Sequence, residues 1–188
     1  LSPKIKALRE DILRPPEVKL YLKMADRSDK KCLIAILYGY GKRISEVLNL
    51  KRQDIDLNGP NISIKFHVLK RKPKSGILPI FNKRLSKDHY LAPFIIDHVE
   101  AIQVPESWIF PGYSGGHIHR YTAWRWLKKI SEDLWPHLFR HSLAQLMADS
   151  GATAFQIKNF FDWVKLETAT NYIRESPAMS NHWASREF

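Results

Sequence analysis

The 188-residue chain carries 30 Lys and Arg against 19 Asp and Glu, a formal net charge of +11, and 44% of its residues are hydrophobic. That length suits one domain with a substantial core, and the surplus of cations points to a polyanionic partner, nucleic acid ahead of membrane. No apolar run approaches the roughly 20 residues that span a bilayer, no secretory signal pattern opens the chain, and the single cysteine, Cys32, excludes an intramolecular disulfide, so an intracellular protein is expected.

Residues 1–16 are basic and end in Pro15-Pro16, which reads as a linker remnant, and the start at Leu1 rather than methionine points to a removed upstream segment. Residues 17–175 are then the folded domain and 176–188 a tail whose Trp183 and Phe188 call for cover, from this domain or from another copy. From Glu17 to about Ala25, Val18, Tyr21 and Leu22 share one helical face. Ser28 and Asp29 offer an N-cap and an acidic first turn for a helix through Tyr38, which Gly39 and Gly41 end. Ile44, Val47 and Leu48 repeat at i, i+3, i+4, so Arg43 is displayed at the start of a short helix. A surface pair of Arg43 with Glu46, worth about 0.5 kcal/mol or less, is the plainer reading of that spacing.

Between Asn61 and Phe81 the apolar period becomes two: Ile62, Ile64, Phe66 and Val68 alternate with polar neighbours, and Ile77-Leu78-Pro79-Ile80-Phe81 forms a second run. The join, Lys70-Arg71-Lys72-Pro73-Lys74-Ser75-Gly76, makes this a β-hairpin with a cationic tip, and solvated charge is the usual role of such a tip. Lys83 to Glu100 reads as a helix broken near Pro93, with Phe94, Ile95 and Val99 inward. Trp108 to Gly112 is a short extended piece before a glycine-rich turn, and His119 to about Leu134 is an amphipathic helix offering Arg125, Lys128 and Lys129 to phosphates or to solvent. The sum is an α+β fold, mainly helical, with a small antiparallel hairpin or sheet at one edge.

The last third concentrates chemistry. In Trp135-Pro136-His137-Leu138-Phe139-Arg140-His141, Pro136 suits a first helical turn. Phe139, Leu143, Leu146 and Met147 then build a stripe expected to be buried, leaving His137, Arg140, His141 and Ala144 on another face. Gly151 stops this helix and Thr153 starts the next, to about Phe161. Asp162-Trp163 and Thr170-Asn171-Tyr172 complete a set of a base, a permanent cation, an indole donor and a phenol, the parts needed to break a phosphodiester without a metal. His117 and His119, taken with His137 and His141, lack the Cys or carboxylate partners and the spacing of a zinc site, so no metal is expected.

Taken in order, the box Gly39-Tyr40-Gly41-Lys42-Arg43-Ile44-Ser45-Glu46, the cationic hairpin, His137-Leu138-Phe139-Arg140, Trp163 and Tyr172 resemble the catalytic domain of the tyrosine recombinase (phage integrase) family, over about Glu17 to Ile173. The resemblance implies that family's catalytic-domain fold, with Asp54-Ile55-Asp56 at a short strand. It implies Arg43 and Arg140 as the phosphate-binding cations, His137 as base or proton relay, and Lys70, with Lys72 as the alternative, as the acid for the leaving 5′ oxygen. Trp163 would donate to the phosphate, and Tyr172 would be the nucleophile of a 3′-phosphotyrosyl intermediate. Lys42, Arg71, Lys74, Arg125, Lys128 and His141 are the expected DNA contacts. Two positions depart from the pattern: Lys42 stands where the family usually has leucine, and Asp162 where it usually has glycine.

The implied function is a site-specific recombinase or integrase of a mobile element or virus that cleaves and rejoins double-stranded DNA without metal, cofactor or ATP. It would act as a homodimer or tetramer on DNA, with the tail docking in trans, in the cytoplasm or nucleoid of a prokaryotic host. Strand cleavage of the type IB topoisomerase kind, and a basic DNA-binding domain without catalysis, are the alternatives.

Overall fold

The computed structural model describes residues 12–67 and 79–174. Leu13 already lies inside the packed body: its N–H donates to Ser142 Oγ (2.8 Å) and its carbonyl accepts from Tyr38 Oη (3.2 Å). Pro15 and Pro16 open helix α1 (Pro15–Met24), where a missing N–H costs little because first-turn donors have no helical partner. Residues 13–16 therefore belong to the fold and not to the linker remnant expected over 1–16.

Helix α2 (Ser28–Tyr40) is the central element, with Cys32 through Leu37 all buried. Its N-cap is Arg27, not Ser28, whose hydroxyl pairs with His98 Nδ1 at 3.2 Å. The helix also passes through Gly39 instead of stopping there, and the glycine fits a close approach, since a Cβ at that position would meet Leu91 at 3.1 Å. Gly41 ends the helix at φ 59°, its N–H donating to Leu37 O at 3.1 Å.

After α3 (Ile44–Leu48) and a 3-10 turn at Arg52–Asp54, strands β1 (Ile55–Asp56), β2 (Asn61–His67) and β3 (Ile80–Ser86) form an antiparallel sheet in the order β1-β2-β3. Ile55 lies opposite Ile64, and β2 pairs with β3 from Asn61 opposite Ser86 to His67 opposite Ile80. β2 turns Ile62, Ile64 and Phe66 onto α2, where Tyr40 donates its hydroxyl to Ile62 O (3.0 Å) and tilts against Phe66. The expected helix from Lys83 is a strand up to Ser86, because Phe81, Lys83 and Leu85 alternate inward with Asn82, Arg84 and Ser86 outward, a period of two. The helix, α4 (Ala92–Glu100), begins at Ala92, so Pro93 sits in its first turn and does not break it. The hairpin tip that carries Lys70, Arg71, Lys72 and Lys74 lies outside the described residues.

Ile109 N–H donates to Leu50 O (2.9 Å), and Pro111 bridges His117 across the glycine turn, as the extended reading of this stretch required. Helix α5 (Arg120–Ile130) is four residues shorter at its end than expected: Ser131 is fully extended and Leu134 folds back to donate to Ser131 O (3.1 Å).

Helices α6 (Pro136–Asp149), α7 (Ala154–Phe160) and α8 (Glu167–Arg174) complete the described chain. α6 joins two apolar clusters. Leu138 and Phe139 belong to the large core around α2, whereas Ala144 and Ala148 pack with Ile157, Phe161 and Ala169 in a smaller one. Covered on more than one side, α6 does not bury the expected stripe. Leu143, Leu146 and Met147 are half-buried, and Leu138, Phe139, Arg140, Ser142, Ala144, Gln145 and Ala148 are the buried set. Among the described residues no helix is long and apolar enough to cross a membrane. The architecture is α+β and mainly helical, with its small antiparallel sheet against α2.

Candidate active site

The first wall of the site is the turn after α2. With Gly41 left-handed, Lys42 and Arg43 run extended into α3, and Arg43 is the residue that precedes its first turn. Glu46 reaches back to accept from both the Arg43 N–H and Nη1, each at 3.0 Å. The expected Arg43–Glu46 pair exists, and it holds a guanidinium, about one-third exposed at 32%, beside a cavity. Glu46 is buried, so this is no surface pair.

The second wall is Arg140 on α6, only 3% exposed. Its guanidinium is gripped by two backbone carbonyls, Nη1 donating to Gly41 O (2.5 Å) and Nη2 to Phe161 O (2.9 Å). Each carbonyl closes a helix, α2 or α7, so Arg140 lies where the partial negative ends of two helix dipoles converge. The rings of Phe161 and Trp163 lie within 4.8 and 5.4 Å of its central carbon. Burial pushes the Arg140 pKa down to about 10, with the charge of Arg43 adding to the fall. That value is far above neutrality, so Arg140 is charged at pH 7.

Helix α7 stops in a left-handed residue. Trp163 N–H donates to Lys158 O (2.9 Å) and Asp162 N–H to Asn159 O (3.3 Å), the double bond pattern that usually ends in glycine. Here the left-handed residue is Asp162, at φ 54°, which costs a side chain about 1–2 kcal/mol. Its carboxylate takes Lys42 Nζ at 2.5 Å and Lys83 Nζ at 3.1 Å. Removing one partner of so buried a pair costs about 3–5 kcal/mol, because the other charge is left uncompensated.

Beyond the stop, Phe161, Trp163 and Tyr172 form a stack, with centroids 4.9 and 5.5 Å apart and planes within about 17° of parallel. The stack fixes α8 and with it Tyr172, whose hydroxyl lies 3.1 Å from His141 Nδ1. Lys42, Arg43, Glu46, His137, Arg140, Asp162, Trp163 and Tyr172 line one cavity of about 440 Å³. Five of the six residues that the resemblance marked for chemistry therefore share one space, and the sixth, Lys70, lies outside the described residues, as does its alternative Lys72.

The profile of the Phage integrase family matches residues 12–179. The chain belongs to the phage integrase family. It is 30% identical over 154 residues to a tyrosine recombinase XerC from Staphylococcus carnosus, covering 78% of this chain and 49% of that one. A tyrosine recombinase from Thermosipho africanus is 25% identical over 180 residues, 91% of this chain and 59% of its own length. The chain thus spans about half to three-fifths of these relatives. Among solved structures, the XerA recombinase superposes with a TM-score of 0.72 at 15% identity, over 95% of this chain and 66% of that one. The XerH recombinase bound to difH substrate gives 0.68 at 20% identity, over 93% and 53%. These likenesses establish the catalytic-domain fold of the tyrosine recombinases.

Within this family fold, three of the expected DNA contacts have partners inside the protein. Lys42 is 2% exposed with its ammonium on Asp162, because the tight turn at Gly41 directs it into the wall of the cavity and not to the surface. Burial lowers its pKa, and Asp162 pulls it back up. His141, one residue past Arg140, faces Tyr172 instead of the outer surface, because α8 packs across α6 there. Lys128 donates to Glu132 O just past the end of α5, while Arg125 stays exposed. His141 is what residue spacing missed. Only its place beside Arg140 hinted at it, and the packing of α8 decided the contact. Of the histidines weighed for zinc, His117 and His119 make local contacts: His117 Nδ1 lies 2.8 Å from Ile118 O, and His119 caps α5 by accepting from Tyr121 N–H at 3.2 Å.

Proposed function

We propose that this chain is the catalytic domain of a site-specific DNA recombinase or integrase that cleaves and rejoins strands through a 3′-phosphotyrosyl intermediate. The observation that carries the reading is the convergence of Arg43, Arg140 and Tyr172, from three separate segments, on a single cavity. A phosphate there meets two guanidinium groups able to offset the charge that grows on its oxygens, a contribution of about 3–4 kcal/mol for each strong donor.

Tyr172 Oη attacks phosphorus and its proton passes to an imidazole: His141 lies next to the hydroxyl, and His137 lines the same cavity. The bond from phosphorus to the 5′ oxygen breaks as that oxygen takes a proton from a hairpin lysine, Lys70 or Lys72. Attack by a 5′ hydroxyl on the phosphotyrosine reverses the step, and since one phosphodiester replaces another, neither ATP nor a metal is called for. Trp163 donates its indole N–H to the phosphate while its ring braces Tyr172.

Arg71, Lys74, Arg125 and Lys128 hold the duplex backbone. The working form is a dimer or tetramer on double-stranded DNA; the tail 176–188, expected to dock in trans, lies outside the described residues. The XerH recombinase bound to its difH substrate supports DNA as the partner. Relatives from bacteria support the cytoplasm or nucleoid of a prokaryotic host as the place of action.

The test is incubation with a nicked duplex whose cleaved end diffuses away, followed by denaturing electrophoresis. A covalent adduct is expected from the native chain and none from Tyr172→Phe, with duplex binding equal in both. An adduct that survives Tyr172→Phe overturns the nucleophile. Binding without any adduct favours a non-catalytic DNA-binding domain, and relaxation of supercoils without strand exchange favours topoisomerase-like cleavage.

A further inference from the structure

The two departures from the family pattern, Lys42 for leucine and Asp162 for glycine, touch each other. The geometry points to Lys42, Asp162 and Lys83 as positioning residues: an ionic tie that locks together the two helix ends gripping Arg140 and anchors the return strand of the hairpin to the same point. The inference rests on the recombinase reading of the cavity and assigns how this chain keeps its second arginine in place.

Three observations carry it. Lys42 directly follows Gly41 and Asp162 directly follows Phe161, so each partner of the 2.5 Å ion pair is the next residue after a carbonyl that accepts from Arg140. Pulling the pair apart would move both carbonyls. Asp162 is also the one residue other than glycine with a positive φ among the described residues, so a strained conformation is kept at the point where a carboxylate is placed between two ammonium groups. Finally, Lys83 reaches in from β3 to Asp162 Oδ1 (3.1 Å) and to Asn159 O (3.2 Å), while its ammonium lies over the Phe160 ring. β3 is the strand that returns from the cationic tip, so one carboxylate fixes the end of α2, the end of α7 and the root of the hairpin.

The charges are well shielded, with side-chain exposures of 2% for Lys42, 10% for Asp162 and 16% for Lys83. Two ammonium groups against one carboxylate leave a net positive charge behind the phosphate cavity. A leucine and a glycine in these places would meet by shape alone. Here charge performs that joining and adds its field to the site.

The experiment compares Asp162→Asn, Lys42→Met, Lys83→Met, the double Lys42→Met/Asp162→Asn, and the neutral pair Lys42→Leu/Asp162→Gly in the 188-residue chain. Single-turnover cleavage at saturating nicked duplex is read beside duplex affinity. Asp162→Asn and Lys42→Met are expected to slow cleavage by roughly tenfold or more with affinity changed less than about twofold, because a displaced guanidinium costs rate before binding. The second change should add less than about threefold to the first, since the two act as one unit. Lys42→Leu/Asp162→Gly should recover at least about threefold of the rate lost in Asp162→Asn but stay below native, because Lys83 loses its carboxylate, and Lys83→Met should lie between native and Asp162→Asn.

A readout independent of cleavage is nitrogen NMR of the Arg140 guanidinium, assigned with Arg140→Lys. Its terminal nitrogens should give separate signals in the native chain, where two carbonyls hinder rotation, and merged signals in Asp162→Asn. Should Asp162→Asn fail to fold, Lys83→Met and the neutral pair carry both measurements. Native rates in the single variants, losses that multiply in the double, or a loss confined to affinity would each overturn the tie. A native chain that forms no adduct sinks the recombinase reading, whereas unchanged Arg140 signals in Asp162→Asn sink the tie.

Discussion

The two arginine-bearing regions of this molecule do the same thing to a cavity by opposite physical means. Arg43 leaves a tight turn, stays about one-third exposed at 32%, and is steered by a carboxylate three residues on, so its geometry is local. Arg140 is buried in the middle of α6 and is steered by two carbonyls, one 99 residues earlier and one 21 later, so its geometry is wholly tertiary. A guanidinium held by a neighbouring carboxylate can be lost without disturbing the fold much. One that fills the gap between two helix ends is part of the fold. The difference teaches that two cations lining one cavity need not be equally separable from stability.

Arg140→Ala should sharpen that contrast most. It should slow adduct formation by about a hundred- to a thousandfold and also lower unfolding free energy, since two buried carbonyls lose their donor at about 1–3 kcal/mol each. Arg43→Ala should match the loss of rate while costing less stability in a urea titration, about 1–3 kcal/mol, because the buried Glu46 loses one donor but keeps the backbone N–H of residue 43. If both substitutions destabilise equally, the contrast fails.

Gly41→Ala should come next, and in the reverse sense, as a change of fold that reaches the site. A Cβ there would run into Phe161 Cε1 at a positive φ, so a loss of about 2–4 kcal/mol is expected, with cleavage falling through Arg140 although residue 41 is not itself at the phosphate. His141→Phe keeps the ring packing against Tyr172 but removes the acceptor. Adduct formation should slow by about tenfold to a hundredfold, with a changed pH dependence and little change in stability. A His141→Phe chain that cleaves at the native rate would leave the proton to His137. Trp163→Phe should have the smallest effect, about tenfold in rate, because a phenyl ring preserves most of the stack between Phe161 and Tyr172.

Much of this site was legible along the chain. The Gly41 turn before Arg43, Pro136 opening α6, and Thr153 capping α7 each follow from a residue type whose backbone preference acts within a few positions. The misreadings fall where a distant partner decides. Lys83 to Ser86 has no strong strand composition and is extended because β2 lies beside it. Lys42 looked like a surface cation until Asp162 arrived from 120 residues away. His141 looked like one more basic side chain until α8 folded across it.

By itself the sequence determined the order and type of the main elements, and which arginines, histidines, indole and phenol could serve a phosphate, because propensity, capping and charge are properties of short stretches of chain. The tertiary structure alone decided that Arg140 is buried between two helix ends, that Asp162 takes a left-handed conformation with two lysines on it, and that Tyr172 meets His141. Those contacts join residues 21 to 120 positions apart, and their energies exist only once burial has removed the water that would otherwise screen them.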